Sequence, residues 1–230
     1  MSDQWAQDYA RDGFVVAHEL FTPQECEELK AEGMKVLREK MGPRKTVFVG
    51  VAAASPMFYK LASDERIVAV LRELMPDGVM FMSDKFVFKS GEQTFPTPWH
   101  QDVAYWQNTR PKLSVWIALD DVSAQNGTLK VLPGSHHAQL QHGGGELSQT
   151  NGEFVNTITE LPMDAPGEVV CEMKRGGALF FSDHLAHASC ANVSGEDRYV
   201  VISTYHAPTQ DEEFDLNFSA RHVIEPAPTN

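Results

Sequence analysis

The segment Pro98-Trp99-His100-Gln101-Asp102 places an imidazole and a carboxylate two residues apart. On an extended chain such residues point to the same face, so His100 and Asp102 converge. One more histidine brought across a β-barrel completes a set of two imidazoles and one carboxylate. That set fills one face of an octahedron and leaves three positions open on iron(II). Two of them suit a keto acid as a bidentate ligand, and the third is left for dioxygen. An HxD triplet is common by chance, so its meaning depends on what surrounds it.

The stretch Asp183-His184-Leu185-Ala186-His187-Ala188-Ser189 follows an apolar run, and Arg198 lies eleven residues past His187, where the apolar run Tyr199 to Tyr205 begins. An arginine there can point inward. A buried guanidinium is costly without an anionic partner, and a bidentate carboxylate ligand makes it favourable. The distal carboxylate of 2-oxoglutarate is such a partner.

The elements that must position these residues divide into two styles. Up to about residue 78 the pattern is helical. Trp5 and Tyr9 precede Gly13 as a short amphipathic helix, and Phe14 to Ala17 reads as a strand. Thr22-Pro23-Gln24-Glu25 is a capping box with proline at the first helical position, opening a helix whose Cys26, Leu29, Val36 and Leu37 share one face until Gly42. Ser55 and Ser63 read as two further N-caps. From residue 79 short β-rich runs take over, at 79–88, 113–119, 128–132, 168–173, 178–181 and 199–205, punctuated by Asn126-Gly127 and Arg175-Gly176-Gly177. The expected fold is mainly β with N-terminal helices, a sandwich or jelly roll in one domain: 1–78 helical support, 79–206 β core, 207–230 a C-terminal tail with little pattern. The stretch from His136 to Pro166, with Gly143-Gly144-Gly145, suits a loop over a site.

The 230 residues carry 19 basic and 32 acidic side chains, a net charge of −13, which repels phosphate backbones and anionic membranes. Nucleic acid and membrane are therefore not expected as partners. Apolar residues make up 42% and charged ones 22%, which is enough for a core. Cys26, Cys171 and Cys190 are odd in number and far apart, so neither a disulfide framework nor a zinc knuckle is suggested. The polar, acidic N-terminus is unlike a signal peptide, and the expectation is a cytoplasmic protein, monomer or homodimer, acting on a small molecule.

Three segments, PWHQD, WIALDDVSAQNGTLKVLPGSHH and HLAHASCANVSGEDR, together resemble the phytanoyl-CoA hydroxylase (phytanoyl-CoA dioxygenase) family of iron(II)- and 2-oxoglutarate-dependent dioxygenases. The opening YARDGFVVAHELFTPQECEELK is similar to that family's N-terminal helix-strand-helix, so the likeness spans nearly the whole chain. It implies a double-stranded β-helix, the cupin-like jelly roll, with His100, Asp102 and His187 as iron ligands. Arg198 and Ser189 would bind the 2-oxoglutarate carboxylate, and Trp116 would line the cosubstrate pocket. The implied activity is an oxidoreductase reaction in which 2-oxoglutarate and O2 are consumed, succinate and carbon dioxide are released, and a small molecule is hydroxylated or otherwise oxidised. Relatives that halogenate replace the acidic ligand with a small residue, so by this resemblance Asp102 favours hydroxylation or a related oxidation. Nothing in the sequence marks a coenzyme A site.

Each assignment has a plainer rival. His184 competes with His187 as the ligand, but only His187 has the spacing to Ser189 and Arg198. His136 and His137 end a strand after Pro133-Gly134-Ser135 and read as structural. Trp116 alternates with Ser114 and Ala118, where core packing is the alternative. Trp99, Tyr105 and Trp106 flank the ligands as walls of a substrate cavity or as buried bracing. Lys85 and Lys89 share a strand face, with Lys85 the better candidate for an anionic ligand and a solvated surface the alternative for both. Two other functions stay open on the same residues: a divalent-metal cupin-type hydrolase, and a non-catalytic module that binds metal or 2-oxoglutarate.

Overall fold

The computed structural model describes residues 2–42, 45–91, 96–106, 108–143, 156–208 and 213–228. Most of the glycine run after Gly143 and residues 211–212 of the acidic tail fall outside these ranges. The N-terminal elements are α1 (Ser2–Asp12), β1 (Phe14–Ala17), α2 (Pro23–Met41), β2 (Val47–Val49), α3 (Val51–Ala54), α4 (Pro56–Leu61) and α5 (Glu65–Leu74). The capping box forms at α2: the Thr22 hydroxyl accepts the Glu25 N–H at 3.3 Å, and the Glu25 carboxylate accepts the Thr22 N–H at 2.8 Å. Such a cap stabilises a helix by about 1 kcal/mol. Ser55 caps α4 as expected. The cap of α5 is Asp64, one residue past Ser63, because a carboxylate both accepts the Arg66 N–H at 3.0 Å and favours the positive end of the helix.

The remaining strands are β3 (Val79–Lys89), β4 (Lys112–Ala118), β5 (Leu129–Val131), β6 (Val169–Val170), β7 (Ala178–Ser182), β8 (His187–Ser189), β9 (Arg198–His206) and β10 (His222–Glu225). They form two sheets. The larger runs β1-β7-β4-β9-β3-β10 with β2 also on β3, and the smaller runs β6-β5-β8; the pairings are antiparallel. This is a jelly roll braced by helices, as the sequence led us to expect. Two details differ from the sequence reading. The segment after Pro208 contributes β10, which pairs with Met80 and Phe81 of β3, and β1 from the helical region closes the opposite side of the same sheet on β7.

Strand β4 shows how the layers are organised, because it is buried on both faces. Leu113, Val115 and Ile117 enter the core shared with α2, α4 and α5. Trp116 and Ala118 point the other way, into a second core with Leu129 and Val131 of the small sheet. The period of two thus assigns alternate residues to opposite layers. Burial of each large apolar side chain contributes about 1.5–3 kcal/mol. Helix α2 lies unusually close to the large sheet at Gly33, where a Cβ would sit 2.3 Å from the Phe86 ring. Among the described residues no helix is long and apolar enough to cross a membrane.

Candidate metal centre

The segment that carries His100 and Asp102 is joined to β8 of the small sheet by a short ladder. His100 and His187 exchange backbone hydrogen bonds, His100 N–H to His187 O at 3.0 Å and His187 N–H to His100 O at 2.9 Å. This pairing brings the HxD segment against β8. Gln101 is extended, with φ −113 and ψ 134, so His100 and Asp102 emerge on one side and the Gln101 side chain on the other. Asp102 then opens a 3-10 turn, Asp102–Tyr105.

His100, Asp102 and His187 are buried, and one potential ligand atom from each lies within 4.8 Å of the others. The Asp102 Oδ1 is 3.8 Å from His100 Nε2 and 3.9 Å from His187 Nε2. A carbonyl oxygen only accepts, so the 2.9 Å contact from His100 Nδ1 to Pro98 O and the 3.0 Å contact from His187 Nδ1 to Leu185 O place a proton on each Nδ1. Both Nε2 lone pairs are thereby directed at the Asp102 carboxylate. Burial, reinforced by His187, holds His100 far below the usual imidazole range, at about 3. For Asp102, burial pushes upward but His187, Lys85 and His100 outweigh it and leave the carboxyl below its ordinary value. A neutral imidazole and an ionised carboxylate are the protonation states a metal ion requires. The donor set, two nitrogens and one oxygen on one side of an open space, fits iron(II) with vacant positions.

Supporting contacts hold the ligands in place. Gln101 is fully buried; its amide donates to Ala138 O and His184 O and accepts from Leu140 N–H, while its own N–H donates to His142 Nε2 at 3.0 Å. Asp183 is also fully buried and accepts from Trp106 Nε1 at 3.1 Å, fastening the 3-10 turn to the segment that carries His187. Hydrogen bonds made by the ligand side chains themselves, here His100 Nδ1 to Pro98 O and His187 Nδ1 to Leu185 O, are worth about 10- to 100-fold in metal affinity. The Gln101 and Asp183 bonds support them by fixing the backbone segments that carry the ligands.

The three residues open onto a cavity of about 490 Å³, which Lys85, Lys89, Trp116, Ser189 and Arg198 also line. Arg198 is buried at the start of β9, its guanidinium 5.3 Å from the Trp116 ring centroid, and it donates to the carbonyls of Asn126 and Gly127. Burial pulls it down to about 10. No carboxylate lies within ion-pair distance of it among the described residues. Ser189 ends β8, next to the ladder that carries His187.

The structure therefore brings together His100, Asp102, His187, Arg198, Ser189, Trp116 and Lys85. It leaves His184 outside the cluster, partly exposed and hydrogen-bonded through Nδ1 to Asp183 Oδ1 at 3.0 Å. The expected aromatic wall is a correction: Trp99, Tyr105 and Trp106 do not line this cavity. Trp99 is buried among Ile158, Ala165, Ala186 and Ala188, with its Nε1 donating to Pro162 O at 2.9 Å. Trp106 is turned to Asp183. Tyr105 is half exposed and meets the His100 ring edge-on at 6.1 Å between centroids. An indole or phenol needs a partner for its polar atom when buried, and each tryptophan finds one away from the cavity. Sequence reasoning undervalued Lys89 and passed over Thr97 and Gln101. The alternation that puts Lys85 and Lys89 on one face was the available signal for Lys89.

A jelly roll with a buried two-histidine, one-carboxylate cluster opening on a cavity lined by a buried arginine defines the class of the 2-oxoglutarate-dependent non-haem iron enzymes. The phytanoyl-CoA dioxygenase family model matches residues 9–200, and the chain belongs to that family of iron(II)- and 2-oxoglutarate-dependent dioxygenases. Among its relatives, the ectoine dioxygenase of Sphingopyxis alaskensis is 25% identical over 236 residues, covering 90% of this chain and 76% of the relative. The L-proline trans-4-hydroxylase of Streptomyces griseoviridis is 25% identical over 228 residues, covering 87% and 85%. In architecture the chain is similar to the epimerase SnoN, solved in complex with Fe3+, alpha ketoglutarate and nogalamycin RO, at a TM-score of 0.73 and 22% identity, covering 90% of this chain and 84% of that one.

Proposed function

We propose that this protein oxidises a small molecule, most simply by hydroxylation, with His100, Asp102 and His187 holding iron(II) and the neighbouring cavity receiving 2-oxoglutarate. When bound, iron(II) with 2-oxoglutarate and O2 supplies the oxidising chemistry, and succinate and carbon dioxide leave. The observation that carries this reading is the convergence of the three donor atoms within 4.8 Å, with both imidazole Nδ1 protons committed to carbonyls.

The chain's own residues supply binding, orientation and electrostatics. Arg198 offers N–H donors in a planar fork to the distal carboxylate, and Ser189 adds a hydroxyl beside it. Trp116 lies under the guanidinium and keeps water from that face. Lys85 lines the cavity close enough to Asp102 to lower its pKa, so its ammonium is placed for the keto-acid end of 2-oxoglutarate. A cavity of about 490 Å³ holds the keto acid and a compact substrate together. The relatives named for ectoine and L-proline act on molecules of that size class, which supports a small polar substrate.

The test uses the purified protein loaded with iron(II) without air. Addition of 2-oxoglutarate should produce a weak visible charge-transfer band, and admission of air should then yield succinate. Absence of both would overturn the reading and favour the hydrolase or binding-module alternatives. Candidate substrates are ranked by the extra succinate each one elicits.

A further inference from the structure

Lys130 stands at the centre of β5, opposite Ala188 of β8 on one side and Val170 of β6 on the other. Its neighbours Leu129 and Val131 enter the core between the sheets, so Lys130 projects from the outer face of the small sheet, away from the cavity. Even there it is only 4% exposed. Its ammonium donates to Met163 O, pairs with Glu168 Oε2 at 2.9 Å and Asp164 Oδ1 at 3.5 Å, and lies 5.4 Å from the centroid of the Trp99 ring. Glu168 is tied to the same segment, accepting the Ala165 N–H at 3.0 Å. A buried cation held by several partners fixes the backbone it touches, because each partner lost leaves charge in a poorly solvated place.

The backbone it fixes closes over the Trp99 indole. Ile158 and Ala165 pack with the ring, and the Ile158 N–H donates to Trp99 O at 2.7 Å. Pro162 O and Met163 O accept the indole Nε1–H at 2.9 and 3.2 Å. Met163 O therefore receives both Lys130 and Trp99. The same cluster contains Ala186 and Ala188, the two neighbours of His187, as Trp99 is the neighbour of His100. Alternate residues of an extended chain take opposite faces. Trp99 and the two alanines thus form the back of the surface whose front carries the two imidazoles.

We infer that Lys130 is a positioning residue for the metal ligands: through Met163 O, Glu168 and the Trp99 ring it sets the depth of the indole behind the His100–His187 ladder, and with it the separation of the two imidazole Nε2 atoms. This inference rests on the metal-binding reading above. It gives a function to a lysine on the far side of the sheet from the cavity.

The probe is Co(II) added to the metal-free protein, since its visible bands report ligand geometry without oxygen chemistry. Lys130→Met keeps the apolar stem and removes the ammonium. It should weaken Co(II) binding about 2- to 30-fold, the range of coupling carried through packed networks, and should shift the visible bands. Trp99→Phe removes the second donor to Met163 O. Combined with Lys130→Met, its effect on affinity should be less than additive, because both act through one path. Val70→Ala, in the core on the other side of the large sheet, supplies a control that lowers Tm and should leave Co(II) affinity and bands unchanged. Glu168→Gln covers the case of a lysine variant that does not fold: it keeps the side chain, weakens the ion pair, and should shift the bands in the same direction. Unshifted bands in Glu168→Gln, a lower Tm with parental affinity and bands in Lys130→Met, or an equal band shift in Val70→Ala would each overturn the inference, as would additive losses in the double variant. Failure of the unmodified protein to bind Co(II) would instead strike the functional reading itself.

Discussion

Replacement of Gln101 by leucine isolates the scaffold beneath the metal ligands. Gln101 is fully buried between His100 and Asp102, and its side chain makes three hydrogen bonds: to Ala138 O at 2.8 Å, to His184 O at 2.5 Å and from Leu140 N–H at 2.8 Å. Leucine fills a similar volume and makes none of them. Each lost bond costs about 1 kcal/mol net, and a group left buried without a partner costs up to about 3 kcal/mol. Ala138 is exposed and the other two residues are partly so, which lets water relieve some of the loss. The expected destabilisation is therefore about 3 kcal/mol. For a chain of this length that corresponds to a fall in Tm of about 6–12 °C. Because the same bonds tie the HxD segment to the 138–142 and 184 segments, metal affinity should fall about 10- to 100-fold as well. Thermal unfolding of the metal-free protein by circular dichroism, followed by anaerobic iron(II) titration, measures both. A Tm within 2 °C of the parent, with unchanged affinity, would refute the reasoning; a lower Tm with unchanged affinity would refute its second half.

The remaining perturbations probe the site directly. His187→Ala should abolish the charge-transfer band while His184→Ala leaves it intact, and the reverse pattern would mean that the wrong histidine has been assigned. Arg198→Ala should raise the KM for 2-oxoglutarate about 10- to 100-fold with a smaller effect on kcat; an unchanged KM would remove Arg198 from carboxylate binding. The pH dependence follows from Lys89, which lines the cavity and whose ammonium is held near 7 in the free protein. The KM for 2-oxoglutarate should be flat below that pH and rise above it, and Lys89→Arg should move the rise to higher pH. The sign for stability is opposite: between about 7 and the ordinary lysine value the unfolded chain binds the proton that the folded one has lost, so this group makes the free protein more stable as pH rises through that window.

The legible parts of the molecule are those that local chemistry fixes. Thr22 and Glu25 cap α2 through bonds that span three residues, and the long apolar runs of β3, β4, β7 and β9 are buried in any arrangement that forms a core. His100 and Asp102 converge because one extended residue separates them. The illegible parts depend on pairing between distant segments. Strand β8 has three residues and exists through its ladder to β5 and its bridge to His100, neither of which its own sequence encodes. Strand β10 offers no clean alternation, with His222 and Glu225 at its ends, and it is held at the sheet edge by β3 and by the Arg72 to Glu225 ion pair. Trp99 and Trp106 flank the ligands in sequence, yet their indole N–H groups find partners outside the cavity. Lys89 looks like any lysine on a strand, because its burial is decided by the register that sets it opposite Arg198.

Charge shows the same division between local and global properties. The net charge of −13 speaks against polyanionic partners, whose many phosphates sample the field of the whole surface. A small dianion inside the cavity samples a different field. At physiological ionic strength exposed charges are screened over about 8 Å, whereas buried pairs are screened far less. Among the described residues that line the cavity, Lys45, Lys85, Lys89 and Arg198 face a single carboxylate, Asp102, which is committed to the metal cluster. An acidic protein therefore encloses a cationic pocket, and the local surplus of positive charge sets which ligands it accepts. Added salt should accordingly weaken 2-oxoglutarate binding only slightly. A steep salt dependence would place the carboxylate at the exposed mouth of the cavity and away from Arg198.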